Sequence, residues 1–537
     1  VIKRCGNEIG NRFISLTYDA FSKSILDHFR FSLPEDVRPK GSYSVNEDEI
    51  IDAAFKKAGY INPQRLSSSR LKNYYDKVLS SVTLPFTQND LGENVWRLLL
   101  KGFDNYNASL SFKMICILAE YIIRINPMIK KGLQLTYGHV FLDEFQDTTN
   151  LQYRLVKQCF LNSNSLLTAV GDNKQRIMVW AGALKTVFSN FEEDFCSAQR
   201  KLIMNHRSAP RLVELQKMMY LSLKETELSV DVSDKWNPED GSVSLLIADD
   251  EENEAQVITK DIIKKLSNDI LPNELCILCK QLPQNYSAQI IAELGKHQIR
   301  ARIENEYQDL IKEPIVEMLI ALLRLSVDRK RPQDWEFIMS ATLELWAVDS
   351  LQSNETYFRV QDSLVDVIKV LNKMMKGVTT KREFHELLKY ILKFWRISRI
   401  KAMLPTYYQG TYLNDLLTKF QNYMWEELEF THTNWLLAIE NFEGLHSIPI
   451  MTIHKSKGLE YEAVYFVGLE DSAFWNFKNQ PEEDRCAFFV ALSRAKREIM
   501  FTFCNYRSAI RDHQQTHSEI NEFFDLLNTP GMATIIR

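Results

Sequence analysis

Short apolar runs closed by polar turns occur in two clusters along the chain, and long stretches of helical periodicity separate them. The first cluster holds Val140-Phe141-Leu142, Leu166 to Val170 and Lys201-Leu202-Ile203-Met204. The second holds Val243 to Ile247, Leu275 to Leu278, Ile448 to Ile453, Ala463 to Val467 and Ile499 to Phe503. Runs of this length predict strands, and each precedes or follows a segment of helical pattern, the alternation expected of parallel α/β sheets. Residues 31–134 and 331–444 read as mostly helical insertions rich in aromatics, among them Trp335, Trp346, Trp395, Trp425 and Trp435. The pattern predicts an α/β protein with two parallel-sheet cores, each interrupted by a helical insertion. The longest apolar runs, such as Met114 to Ile123 closed by Arg124, are too short to span a bilayer.

Composition narrows the picture by exclusion. A chain of 537 residues has the length of three or four ordinary domains, and 45% hydrophobic with 25% charged residues is usual for a globular protein. The formal charge of −5 supplies no global basic field, so any nucleic-acid binding must use local patches. Eight scattered cysteines do not make a disulfide scaffold and indicate a reducing compartment. Cys276 and Cys279 form a CxxC, but no second pair follows, and in a buried strand an offset of three puts the two side chains on opposite faces. Glycine numbers only 18, where ordinary usage gives about 38. That scarcity raises the question of where a glycine-rich phosphate loop would come from.

The candidate chemistry sits at strand ends. In His-Val-Phe-Leu-Asp-Glu-Phe-Gln-Asp, residues 139–147, an apolar strand ends in Asp143 and Glu144. Both acids therefore emerge at the carboxyl edge of the sheet, where ligands bind in open α/β folds. Phosphoryl transfer needs one acid to hold Mg²⁺ and another to polarise water, in that order here. A second strand runs into Gly171-Asp172, with Gln175 placed to face a terminal phosphate and Trp180 offering a flat surface for a base. Asn205-His206-Arg207-Ser208 presents one arginine. Thr452 to Glu460 (TIHKSKGLE) leaves a strand of the second core, and Glu482 to Lys496 is a helix carrying Arg485 and Arg494. Nine positions apart at about 100° per residue, those two arginines face opposite sides, so only one can face a given cleft.

The set DEFQD, GDNKQRIMVWAGA, NHRS, TIHKSKGLEYEAVYF and EEDRCAFFVALSRAK, in this order and spacing, resembles motifs II to VI of UvrD/Rep-type superfamily 1 DNA helicases. Leu16-Thr17-Tyr18-Asp19-Ala20-Phe21 resembles the family's DNA-contacting TFHSF segment. The resemblance implies two RecA-like P-loop NTPase domains with helical insertions. Domain 1A would comprise residues 1–30 and 135–210, insertion 1B 31–134, domain 2A 211–330 and 445–537, and insertion 2B 331–444. It further implies that Asp143 holds Mg²⁺, that Glu144 activates the attacking water, that Gln175 senses the γ-phosphate, and that Arg207 and Arg494 are arginine fingers. Glu460, Gly458 and His206 match nucleotide-binding positions; Thr17, Trp180 and His454 match single-strand DNA contacts. ATP in the 1A/2A cleft would drive 3′–5′ movement on single-stranded DNA and at single-strand/duplex junctions, in a bacterial-type cytoplasm.

The chain departs from the family pattern at Met178, Ala181 and His206, where an aromatic, an arginine and a tyrosine or phenylalanine are usual. Met178 keeps apolar surface without a ring, and Arg176 lies one turn before Ala181. The stripe Lys393-Phe394-Trp395-Arg396-Ile397-Ser398-Arg399-Ile400-Lys401 reads as an amphipathic helix with a basic side, or as a duplex contact from 2B. No G-x-x-x-x-G-K-[ST] occurs anywhere in the chain; the nearest glycine pair is Gly6 and Gly10. Val1 to Gly6 resembles the end of the helix after family motif Ia, and the family's phosphate loop lies N-terminal to that segment, so the expectation is a chain truncated inside domain 1A. Two readings follow: an ATP-driven helicase whose phosphate loop lies outside these residues, or a non-hydrolysing helicase-like DNA-binding or scaffolding protein.

Overall fold

The computed structural model describes residues 12–62, 65–223, 230–348, 354–404, 407, 412–508, 510 and 513–537. Val1–Gly6 and the Gly6/Gly10 pair lie outside the described residues. The chain divides into two compact units, residues 1–200 and 201–537.

In the first unit, helix α1 (Tyr18–Phe29) opens on Thr17, whose hydroxyl accepts a hydrogen bond from the Ala20 amide at 3.1 Å, the usual N-cap arrangement. Helix α2 (Phe112–Ile125) has every residue from Met114 to Ile123 buried. The apolar run that is too short for a membrane is thus a core helix. Strand β1 (His139–Leu142) and strand β2 (Leu166–Ala169) pair in parallel, His139 opposite Leu166 and Leu142 opposite Ala169. Helix α3 (Asn150–Phe160) connects them and starts with a capping box between Thr149 and Gln152. One hydrophobic cluster runs from Ile25 through Trp96, Leu118 and Phe145 to Phe191. The helices of residues 31–134 therefore share a core with the strand pair.

The second unit is built on a seven-stranded, all-parallel sheet. Its strands are β3 (Ser242–Asp250), followed by helix α4 (Glu251–Leu266), then β4 (Leu275–Cys279), β5 (Ala301–Ile303), β6 (Ile448–Thr452) and β7 (Tyr461–Val467). Helix α5 (Pro481–Ser493) leads into β8 (Ala495–Tyr506), and β9 (Thr534–Ile536) closes the chain. The spatial order is β9-β3-β8-β7-β4-β6-β5. All five runs of the second apolar cluster are strands of this sheet. Central strands β4 and β7 are almost wholly buried, as expected where helices cover both faces. Cys276 and Cys279 sit in β4, and burial pushes both thiols up, Cys279 to about 12. Both are therefore held as neutral thiols at neutral pH.

Three expectations need correction. Lys201 to Met204 is not a strand of the first core: only Met204–Asn205 is extended, paired with Asp231–Val232 in the second unit. Leu202 is 92% exposed, so the run has no buried face to hold it in a larger sheet. The second helical block begins at Asn305–Ile311, well before residue 331, because Pro314–Val327 buries Ile315, Leu319, Leu322 and Leu323 in the helical cluster that extends to Phe442. The Lys393–Lys401 stripe is not one helix. It breaks at Arg396, whose φ is +63°, between helices Lys381–Trp395 and Ile397–Met403.

The block is tied to the sheet by Arg302 of β5, which is buried, donates to Glu304 at 2.7 Å and to the carbonyls of Asn441 and Phe442, and lies over the Tyr307 ring. No helix among the described residues is long and apolar enough to cross a membrane.

Candidate functional site

Candidate residues gather at the ends of β1 and β2 in the first unit. The amide of Val170 donates to the Leu142 carbonyl at 2.8 Å, and the amide of Phe145 donates to the Val170 carbonyl at 2.9 Å, so the two strand ends stay zipped past the last paired residues. Gly171 permits this approach: a Cβ there would lie 2.1 Å from Gln146 Oε1 and 2.9 Å from the Phe145 nitrogen. Asp143 and Glu144 are exposed, with Asp143 Oδ1 accepting from the Glu144 amide at 2.9 Å. Glu144 holds φ +49°, a left-handed conformation that turns the chain into the short helix Phe145–Asp147.

A hydrogen-bond relay joins these acids to Gln175. Buried Gln146 donates from Nε2 to Glu144 Oε2 at 2.6 Å, while its Oε1 accepts from the Asp172 amide at 3.0 Å. Asp172 Oδ2 in turn accepts from Gln175 Nε2 at 3.1 Å. Gln146 and Asp172 are members of this relay that reading by motif did not single out. Trp180 sits in a single turn, Val179–Ala181, closed by Gly182 at φ +94°, and is 65% exposed. Thr17 is exposed but spends its hydroxyl on the helix cap.

Magnesium in phosphoryl transfer takes one or two carboxylates and fills its remaining positions with phosphate oxygens and water. The exposed Asp143 carboxylate, with Glu144 beside it, fits that donor set.

In the second unit Arg207, Glu460, Lys496, Ser493 and Arg494 come together. Asn205 Oδ1 accepts from the amides of Arg207 and Ser208, both at 2.9 Å, which fixes the turn carrying Arg207. Arg207 Nε donates to Glu460 Oε2 at 2.8 Å and its Nη1 to the Ser493 carbonyl at 3.0 Å. Lys496 stands 3.4 Å from the other Glu460 oxygen. Partial burial works to raise Glu460, but Arg207 and Lys496 outweigh it and hold the carboxylate below its ordinary range. Arg494 is only 1% exposed, its guanidinium donating to the carbonyls of Val490, Ser456 and Leu459 and to Ser493 Oγ. Arg494 therefore clamps the 456–460 turn, in which Gly458 takes φ +81°. Arg485 points elsewhere, in a two-bond pair with Glu522 at 2.6 and 2.7 Å, as the nine-residue offset requires. His206 is exposed. His454 lines a hollow of about 480 Å³ that it shares with Lys280, Thr452, Trp475, Glu483 and Asp484.

Two family models match the chain. The UvrD/REP helicase N-terminal domain family covers residues 10–196, and the UvrD-like helicase C-terminal domain family covers residues 200–391 and 369–506. The ATP-dependent DNA helicase Rep of Buchnera aphidicola subsp. Schizaphis graminum is 25% identical over 456 residues, 73% of this chain and 66% of the relative. A probable DNA helicase II homolog of Mycoplasma capricolum is 22% identical over 567 residues, 93% of this chain and 76% of the relative. Another, from Rickettsia felis, is 24% identical over 548 residues, again 93% of this chain and 78% of the relative. The match thus spans about two thirds of the Rep relative's length. With strand-end acids, an arginine–glutamate pair and family matches that run from residue 10 to residue 506, the chain belongs to the UvrD-like helicase family.

Proposed function

We propose that residues 1–537 are part of an ATP-dependent DNA helicase or translocase that moves 3′ to 5′ along single-stranded DNA and acts at single-strand/duplex junctions. The observation that carries the reading is the relay from Glu144 through Gln146 and Asp172 to Gln175. A general base must be held in one orientation and must respond to the state of the phosphate, and a chain of amide–carboxylate hydrogen bonds does both.

In this mechanism Asp143 would hold Mg²⁺, which would supply charge neutralisation there. Glu144 accepts the proton of the attacking water, and Gln175 reports the loss of the γ-phosphate back along the relay. Arg207 and Arg494 neutralise charge developing on the transferring group. Both arginines begin in bonds to protein: Arg207 to Glu460, Arg494 to the carbonyls of the 456–460 turn. Engaging a phosphate exchanges those bonds, so the turn that leads from His454 to Glu460 shifts with the nucleotide state. Glu460, Gly458 and His206 would then meet the nucleotide, while Thr17, Trp180 and His454 meet the single strand. Residues 1–537 contain no G-x-x-x-x-G-K-[ST] segment, so the β- and γ-phosphates need a cradle beyond the motifs assigned here.

The test is steady-state ATP hydrolysis by the full-length gene product, with and without single-stranded DNA. Expected is DNA-stimulated turnover that falls roughly 10²–10⁴-fold in Glu144→Gln and about 10³-fold in Arg494→Ala, with DNA binding kept in both. DNA binding without any turnover in the wild-type protein would refute the helicase reading and leave a non-hydrolysing DNA-binding or scaffolding protein.

A further inference from the structure

Two charged groups beside the Arg207–Glu460 pair, Lys496 and Glu462, have no part in the mechanism above. The pairing of β7 with β8 brings them together. Tyr461 lies opposite Ala495, but Ala463 lies opposite Glu498, so a single residue of β7, Glu462, faces both Lys496 and Arg497 of β8. In regular strands two successive side chains point to opposite faces; this bulge lets both cations reach one acid. Lys496 Nζ stands 3.2 Å from Glu462 Oε1, and Arg497 Nε stands 3.4 Å from Glu462 Oε2. The Arg497 guanidinium also lies over the Trp236 ring at 4.9 Å, which anchors that end. Charge therefore alternates along a row from Arg497 through Glu462, Lys496 and Glu460 to Arg207.

Arg207 is the member of the row that must move. It holds Glu460 Oε2 at 2.8 Å, a full charge-assisted bond, whereas Lys496 stands 3.4 Å from Oε1, beyond the roughly 2.7–2.9 Å such a bond takes. Lys496 therefore has reach in reserve. When Arg207 turns to a phosphate, Glu460 loses its close partner just as further negative charge arrives, and an uncompensated carboxylate pulls the arginine back. An ammonium has three N–H donors, so Lys496 can close on Glu460 while still holding Glu462. Partial burial works to lower Lys496, but Glu462 and Glu460 outweigh it and hold the ammonium above its ordinary range, so it is charged at neutral pH.

We infer that Lys496 is a positioning residue for the Arg207 finger: it neutralises Glu460 once the arginine leaves, and so lowers the cost of releasing the finger onto the phosphate. The inference rests on the ATP-hydrolysis reading above. Lys496 acts through Glu460 and does not touch the nucleotide, while Glu462 and the bulge hold it in place.

The experiment is steady-state ATP hydrolysis by the full-length gene product, with saturating single-stranded DNA and varied ATP. Lys496→Met keeps the aliphatic stem and removes the charge. It is expected to lower kcat about three- to fivefold, the worth of an ion pair this exposed, and to leave KM for ATP within about twofold, because the finger is released only as the transition state forms. Lys496→Arg is expected to restore kcat. In a Glu460→Gln background, where no charge remains to be neutralised, adding Lys496→Met is expected to change nothing. Three results overturn the inference while the ATP-hydrolysis reading stands: an unchanged kcat in Lys496→Met, a KM that rises in step with the fall in kcat, or the same fall in the Glu460→Gln background. The first makes Lys496 a surface charge, and the other two make it a direct ligand of the nucleotide. A wild-type protein without turnover overturns both.

Discussion

Glu470 lies in the loop that follows β7 and carries Trp475, and its anchoring yields a prediction that can be worked from the structure. Arg507 is buried between Glu254 and Glu470, its Nη2 2.7 Å from Glu254 Oε1 and its Nε 2.7 Å from Glu470 Oε1. Thr502 adds a bond to Glu254, and the Cys504 amide donates to Glu470 at 3.2 Å. Two carboxylates against one guanidinium leave a net negative charge in a dry place. Burial, with Glu254 adding to it, raises Glu470 from 4.5 to about 7 against the pull of Arg507. A carboxyl raised on folding holds a proton in the folded state that the unfolded chain has released, so stability is highest below the unfolded pKa and declines as pH rises toward the folded one. The difference of about 2.5 pKa steps, at 1.36 kcal/mol each, amounts to about 3 kcal/mol over the whole window, most of it between pH 5 and 8.

Glu470→Gln keeps an acceptor for Arg507 and removes the titration. Urea unfolding of both proteins, followed by circular dichroism at pH 5, 6, 7 and 8, reads the effect. The variant should match the wild type near pH 5 and exceed it by roughly 2–3 kcal/mol at pH 8. Parallel pH curves for the two proteins would refute the assignment of the proton to Glu470.

Other substitutions test the remaining argument. Gly171→Ala places a methyl 2.1 Å from Gln146 Oε1 and close to the Phe145 amide, so the strand ends must part. A loss of roughly 1–3 kcal/mol in unfolding free energy is expected, together with an ATPase defect that persists at saturating ATP. Arg396 is exposed and held at φ +63°, so Arg396→Gly should raise the thermal midpoint, by the equivalent of up to about 1 kcal/mol; a fall would show that the side chain contributes more than the backbone strain costs. Trp96 is fully buried and donates to the Leu79 carbonyl at 3.0 Å, and Trp96→Ala should cost about 3–5 kcal/mol in urea unfolding of the first unit.

What could be read from sequence, and what could not, follows from how far apart the interacting groups lie. The central strands are legible because both faces are covered, so Leu-Cys-Ile-Leu-Cys and Ala-Val-Tyr-Phe-Val leave no polar interruption. Edge strands β5 and β9 leave no such trace. Each has three residues, and β5 contains Arg302, a charged residue buried only because Glu304, Asn441 and Phe442 satisfy it from elsewhere. The break at Arg396 has neither glycine nor proline to announce it; the backbone turns there so that Trp395 and Ile400 can enter the same core.

The same distinction runs through the site. Asp143, Glu144, Arg207 and Glu460 are visible because each follows a strand within a contiguous motif. Gln146 meets Asp172 across 26 residues, and Lys280 meets Asp484 across 204. Nothing in either local sequence names the partner, because a glutamine or a lysine is as acceptable on a solvated surface as in a buried pair. Short motifs thus disclose which chemistry a strand end can perform, while the groups that orient that chemistry are chosen by the sheet order. Parallel strands put every carboxyl end on one edge, and that edge brings the loop after β4, the turn after β6 and the start of α5 around one hollow although they are far apart in the chain.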